Sequence, residues 1–301
     1  VQLFASAVEI TRPFTLAAPA LGILSGALTA YGARPRFVQL APSTSVWVAH
    51  IAVGLAAAAL LNGASNVLNQ ACDLDIDRVN KPSRVLPSGR LSTRTALWWS
   101  AILYVVSLIA AFWLGVSELV LFGLAALATL LYSVPPFRTK RFGWWANVTI
   151  AIPRGVLLKV AGWSITKPAL EPEAWLIGGI FGLFLLGATT TKDFADVEGD
   201  QANGIRTLPI IYGRERATRI LYPFFTLPFM GLIVAAATGL LTGNKAALIV
   251  LGSGLAVWGH RIAMQLQRDP QAHISENHPS WRGMYYLMLV MQCGFAVAYL
   301  I

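Results

Sequence analysis

The chain has 301 residues, 56% apolar and only 12% charged, with a formal net charge of +9. An ordinary soluble domain is about 25% charged, so a chain with half that lacks the polar surface to cover a globule in water. Soluble, disordered and fibrous classes are excluded, and the two cysteines, Cys72 and Cys293, are too few and too far apart for a disulfide scaffold.

A helix needs about 20 mostly apolar residues to cross a hydrocarbon core of roughly 30 Å. In chain order nine stretches qualify: 13–32, 46–69, 95–115, 117–134, 145–164, 174–191, 217–240, 245–265 and 283–301. The alternating segments of an outer-membrane barrel are absent, and helices satisfy their own backbone groups in lipid. The expectation is an all-α integral membrane protein of nine transmembrane helices. Glu9 and Arg12 interrupt the start, so no cleavable signal peptide reads there.

The basic residues set an expected orientation. Seventeen of the 23 Lys and Arg, Arg12 included, fall on the side of the connections after spans two, four, six and eight. Arg34, Arg36, Lys167 and Lys245 fall on the other side, and Arg154 and Lys159 lie within span five. By the positive-inside rule the rich face is cytoplasmic, with the N-terminus in and the C-terminus out. The net charge is then a topology signal: attraction to anionic lipid headgroups is expected, and a nucleic-acid partner is not.

Seven of the fourteen acidic residues sit in two stretches on that cytoplasmic side. Asp73, Asp75 and Asp77 follow span two; Asp193, Asp196, Glu198 and Asp200 follow span six. Crowded carboxylates at the end of a membrane helix repel one another and are partly desolvated, so something positive must offset them. Asn69, Asp73 and Asp77 stand at i, i+4 and i+8, which share one helical face, and Asp196 and Asp200 repeat the i, i+4 step with Asp193 three residues earlier. Asp75 and Glu198 point away and read as solvated or capping. Oxygen-only faces without His or Cys suit Mg²⁺ rather than zinc.

Each stretch continues similarly, Asn80-Lys81-Pro82-Ser83-Arg84-Val85-Leu86-Pro87 in one and Asn203-Gly204-Ile205-Arg206-Thr207-Leu208-Pro209 in the other, with four spans between. The pattern reads as a single domain, 1–301, with two related motif-bearing halves of about 1–140 and 141–301. Carboxylates beside arginines imply an anionic ligand bridged by metal: a diphosphate. Tyr132-Ser133-Val134-Pro135-Pro136-Phe137-Arg138-Thr139-Lys140-Arg141 adds a phenol and three cations of the kind that hold phosphate oxygens.

Other polar residues divide between function and packing. Arg154, beside Pro153 and Gly155 in an apolar span, is a candidate for facing a cavity, and Asn147 is a weaker one. Lys159 reads as snorkelling to the outer interface. The tryptophans near span ends, Trp281 among them, read as an interfacial belt. His50, His260, His273 and His278 lack metal-ligand spacing, and Cys72 reads as inert. Asp269–Trp281 reads as a plain loop, and Glu171 and Glu173 as solvated.

Together these residues resemble a known family. Asn69-x₃-Asp73-x₃-Asp77 with Asn80-Lys81-Pro82-x-Arg84 and Pro87-Ser88-Gly89 is similar to the first motif of the UbiA superfamily of intramembrane prenyltransferases. Lys192-Asp193-x₂-Asp196-Val197-Glu198-Gly199-Asp200, with Gly204 and Thr207-Leu208-Pro209, resembles its second, and Tyr132-Ser133-x-Pro135-Pro136-x-Arg138-x-Lys140 the loop between them. Thr11-Arg12-Pro13 also recurs there, and the likeness covers nearly the whole chain. One departure is Gln70: the family's first motif usually begins Asn-Asp, so one carboxylate is lost here.

The resemblance implies nine helices around a central cavity and transfer of a prenyl chain from a prenyl diphosphate to a lipophilic, often aromatic acceptor. It assigns Mg²⁺ to Asn69, Asp73, Asp77, Asp196 and Asp200, with Asp193 assisting. It assigns the diphosphate to Arg84 and Lys140, together with Tyr132, Arg138, Lys192 and Arg206. Asp193 or Asp196 would take the final proton. Arg154 and Asn147 are, from their places in an apolar span rather than from the resemblance, the candidates for the acceptor or prenyl pocket. An aromatic quinone precursor is the expected acceptor, with a chlorophyllide or geranylgeranylglyceryl phosphate as the alternatives. A secondary transporter is the competing class, but transporters hold ions near the bilayer midplane, whereas these acids sit at helix ends on one side.

Overall fold

The computed structural model describes residues 2–34, 43–272 and 278–301, so Arg36 and His273 lie outside the described residues. Within them every regular element is helical; the only β-type pairing is an isolated bridge between Phe142 and Arg206. In chain order the helices are α1 (Gln2–Glu9), α2 (Ala17–Gly32), α3 (Thr44–Cys72), α4 (Leu74–Asn80), α5 (Thr93–Leu114), α6 (Val116–Ser133), α7 (Trp144–Ala151) and α8 (Leu158–Ser164). The second half adds α9 (Pro172–Ala188), α10 (Val197–Ala202), α11 (Leu208–Tyr212), α12 (Arg214–Leu221), α13 (Leu227–Ala237), α14 (Lys245–Arg268) and α15 (Pro279–Leu300). Their starts are marked by side-chain caps: Ser43, Ser92 and Asn244 accept from the backbone N–H groups of Val46, Thr95 and Ala247, which satisfies donors that the first helical turn leaves unpaired.

Seven helical stretches among the described residues are long and apolar enough to cross a membrane, and an eighth counts if the bent pair Leu3–Thr15 and Ala17–Gly32, kinked by 50°, is one span. The sequence expectation of nine is therefore not reproduced. The difference lies at 144–164, which is helical but broken into α7, a π-turn at Ile152–Leu157, and α8. Pro153 lacks an amide hydrogen, so the regular ladder fails there, and the Leu158 N–H bonds to the Pro153 carbonyl in the wider π register. The C-terminal helix also begins earlier than expected, at Pro279, with His278 as its cap accepting from the Ser280 N–H.

Helices cross closely where glycines face each other. A Cβ on Gly26 of α2 would lie 2.8 Å from the Gly162 Cα of α8, so only the absence of side chains permits that approach, the usual device where lipid gives no hydrophobic drive. This crossing overturns the snorkelling reading of Lys159. Its side chain is 3% exposed, donates to Ser25 Oγ at 2.6 Å and lies 4.5 Å from the Phe181 ring centre, because α8 turns it toward α2 rather than toward the interface. Glu173 is not solvated either. It accepts from the Thr242 N–H and hydroxyl and from the Tyr299 hydroxyl, tying the start of α9 to the last helix.

Candidate active site

The two acidic stretches fold into matching helix tips. α3 ends at Cys72, Asp73 breaks the helix with φ −105° and ψ 16°, and α4 restarts at once. In the second stretch Asp196, with φ −101° and ψ 4°, occupies the corresponding place before α10. Four residues on, the Asp77 N–H bonds to the Asp73 carbonyl at 2.8 Å and the Asp200 N–H to the Asp196 carbonyl at 3.0 Å. The tips thus share a backbone form, although neither is the continuous helix that i, i+4 spacing suggests. They touch at Gly199, where a Cβ would lie 2.2 Å from Asn80 Oδ1, so α10 approaches α4 only because that position is glycine.

Ion pairs hold the acids. Asp73 accepts from Asn69 Nδ2 at 2.9 Å, from Arg138 Nη2 at 2.8 Å and from the buried Lys140 ammonium. Asp77 accepts from Arg84 at 2.9 Å, and Asp193 from Lys192. Lys81 reaches across to the other tip, 2.7 and 2.8 Å from the two Asp196 oxygens. Asp200 has no ion pair among the described residues; burial, and then the neighbouring Asp193 carboxylate, push it up to about 7. Burial likewise raises Asp77 and Asp193 and lowers Lys81. Asp75 and Glu198 are exposed, in keeping with their expected orientation.

Both tips open on one cavity of about 530 Å³, within the size range of small-molecule sites. Twelve of the fourteen residues singled out from sequence line it: Asn69, Asp73, Asp77, Arg84, Tyr132, Lys140, Asn147, Arg154, Lys192, Asp193, Asp196 and Asp200. Arg138 does not; it braces Asp73 from outside while donating to the Cys72 carbonyl at 3.0 Å. Arg206 is exposed and outside the lining, because the backbone that bridges to Phe142 places the neighbouring Ile205 and Thr207 on the cavity side. Surface side chains away from a site change little, so Arg206→Ala is expected to retain kcat/KM within about twofold in a prenyl-transfer assay, whereas a tenfold loss would return it to the site. Asn147 lines the cavity, but its amide nitrogen is engaged, donating to the Leu186 carbonyl and to Thr190 Oγ1, both at 2.6 Å.

Several lining residues make contacts of which the sequence shows no sign. Gln70, the departure from the motif, donates to the Ile10 carbonyl at 2.7 Å and ties α3 to the N-terminal segment. Trp281 is a wall of the cavity rather than only a belt residue: it stacks on Tyr285 at 5.6 Å and meets Phe14 edge-on at 5.9 Å. The signal for Lys81 was its place between two motif residues, Asn80 and Pro82.

The metal question turns on the donor set. Six side chains from two tips present only oxygen ligands to one cavity, with no His or Cys in its lining, which fits a hard cation such as Mg²⁺. Among the described residues no three acidic, His or Cys side chains converge on a metal-binding point. That also fits Mg²⁺, which keeps waters and takes substrate phosphate oxygens rather than a full protein cage.

Fold and site together define a multi-pass, all-helical membrane protein with a charged cavity at one end of its helices. Residues 21–278 match the model of the UbiA prenyltransferase family. The chain is 31% identical over 267 residues to the bacteriochlorophyll synthase 34 kDa chain of Chloroflexus aurantiacus, covering 88% of this chain and 81% of that one. It is 31% identical over 268 residues to the digeranylgeranylglyceryl phosphate synthase of Methanopyrus kandleri, covering 87% and 92%. In fold it resembles the structure of a UbiA homologue from Archaeoglobus fulgidus bound to GPP and Mg²⁺, with a TM-score of 0.73, 17% identity and coverage of 98% and 100%. The chain belongs to the UbiA prenyltransferase family. It is a membrane-embedded prenyltransferase.

Proposed function

We propose that the protein transfers an isoprenyl chain from a prenyl diphosphate to a lipophilic acceptor, in a Mg²⁺-dependent reaction at the cytoplasmic end of its helices. The observation that carries this reading is the meeting of two acidic tips, each threaded with Lys or Arg, over one cavity that also has aromatic and apolar residues in its wall. Asn69, Asp73 and Asp77 from one tip and Asp196 and Asp200 from the other would hold the metal, with Asp193 beside them. Bound there, Mg²⁺ supplies Lewis-acid neutralisation of the departing diphosphate.

The chain's own groups do the rest. Lys140, Lys192, Lys81 and Arg84 line the same end and stabilise charge that grows on the diphosphate as the C1–O bond breaks and its electron pair leaves with oxygen, usually the largest catalytic contribution. Phe14, Trp281 and Tyr285 offer π faces to the allylic carbon as it turns cationic. A carbon or oxygen of the acceptor then bonds to C1 and gives up its proton, for which Asp193 and Asp196 are the candidate bases.

The expected quinone-precursor acceptor gains no support from the relatives compared, whose names point to bacteriochlorophyll and to digeranylgeranylglyceryl phosphate. We therefore place a chlorophyllide and a glyceryl phosphate carrying one isoprenoid chain ahead of it. The test is purified protein with Mg²⁺, radiolabelled prenyl diphosphates and a panel of the three acceptor types. A labelled lipophilic product that forms only with Mg²⁺ supports the reading; solute uptake into proteoliposomes with no covalent product would replace it with transport.

A further inference from the structure

Deep in the cavity one strong charge is left over. Arg154 follows Pro153 in the π-turn, at about 15 Å of helical rise from Trp144, a depth at which an ionisable side chain is costly and marks function by default. Its side chain opens onto the cavity, yet it makes no hydrogen bond or ion pair among the described residues. The ionisable groups that bear on it are the phenols of Tyr132, Tyr285 and Tyr104, with no carboxylate among them. Five lysines and arginines already pair with four of the acids at the tips, and with Asp200 the tips hold five carboxylates against five cations without Arg154.

Two further polar groups in the same lining are unmatched. The Tyr132 hydroxyl has no hydrogen-bond partner among the described residues, and Gln292, 1% exposed, has a buried Oε1 without one. Gln292 lies on this part of the wall: its amide and the Leu158 side chain both crowd Gly22, and Leu158 is one helical turn beyond Arg154. Past Arg154 a small apolar recess continues between Leu61, Leu121, Phe122 and Leu157. A guanidinium that opens onto a cavity with no carboxylate beside it gains from a ligand that supplies the counter-charge, and its planar fork matches carboxylate and phosphate oxygens.

We propose that Arg154 binds an anionic oxygen group, carboxylate or phosphate, carried by the acceptor, while the acceptor's apolar body occupies the main cavity beside it. This rests on the prenyltransferase reading and adds the residue that recognises the anionic group of the second substrate. Arg154 is a specificity-determining residue whose part is separate from the diphosphate tips.

The test is calorimetric binding to detergent-purified wild type, Arg154→Gln and Arg154→Lys, with two matched pairs of probes. One pair is geranylgeranylglyceryl phosphate and its dephosphorylated diol; the other is a chlorophyllide and its methyl ester. A third arm measures prenyl diphosphate binding with Mg²⁺. We expect wild type to prefer the anionic member of one pair by about tenfold or more, the scale of a charge-assisted bidentate contact. Arg154→Gln should erase that preference, Arg154→Lys should restore part of it, and prenyl diphosphate binding should be unchanged. Whichever pair responds identifies phosphate or carboxylate. The proposal is overturned if wild type prefers neither anion, if Arg154→Gln weakens both members of a pair equally, or if it weakens prenyl diphosphate binding instead. Failure of wild type to bind prenyl diphosphate would sink the broader reading, and that arm does not involve Arg154.

Discussion

Asp200→Ala is expected to abolish prenyl transfer while the protein stays folded and monodisperse. Asp200 lines the cavity, has no ion pair among the described residues, and is raised to about 7 by burial and by Asp193. A carboxylate held against its solvation preference stabilises nothing in the metal-free protein, so its removal should leave Tm unchanged or slightly higher. Asp73→Ala should be equally inactive but less stable. It strips a partner from Lys140, which is 7% exposed, and from Arg138, and breaking a buried pair costs about 3–5 kcal/mol. Loss of a group aimed at developing charge typically costs about 10²–10³ in rate, and a lost metal ligand more. A differential scanning fluorimetry trace beside a radiolabel assay separates the two cases. Near-normal turnover in both variants would remove the acidic tips from the chemistry.

The second large effect concerns Lys81, whose ammonium joins tips 115 residues apart in sequence. Both partners are mostly buried, the side chains being 9% and 17% exposed. In Lys81→Met the Asp196 carboxylate remains without its cation, so the protein in EDTA should lose about 3 kcal/mol or more of stability. Mg²⁺ with pyrophosphate should return part of that loss, because a ligand that binds only the folded state stabilises it by mass action and supplies the missing positive charge. A melting temperature equal to wild type in EDTA, or a deficit that Mg²⁺ and pyrophosphate leave untouched, would show that the bridge does not hold the tips together.

Much of the site could be read from the chain because charge in lipid is costly. Asp73, Asp77, Asp196 and Asp200 stand out against apolar helices, and their i, i+4 spacing persists through the bonds from Asp77 to Asp73 and from Asp200 to Asp196. What local spacing does not carry is which way a loop turns. Arg206 sits in a motif yet faces out, since the Phe142 bridge sets the backbone there. Lys159 and Glu173 differ from their sequence readings for a related reason: their partners, Ser25, Thr242 and Tyr299, come from parts of the chain distant in sequence. One of the nine expected spans is helical but interrupted, where one proline converts it into α7, a π-turn and α8, and Arg154 in that break lines the cavity.

The central claim is that the two tips act as one site, and a double-mutant cycle measures it. Affinity for a non-reactive prenyl thiolodiphosphate, titrated calorimetrically with Mg²⁺ and again with EDTA, is to be compared in wild type, Asp73→Asn, Asp196→Asn and the double variant. The account predicts tight binding only with Mg²⁺, a large loss in either single variant, and little further loss in the double, since groups sharing one ligand are non-additive. Binding that survives EDTA, or losses that simply add, would mean that the tips do not grip a common metal–diphosphate group.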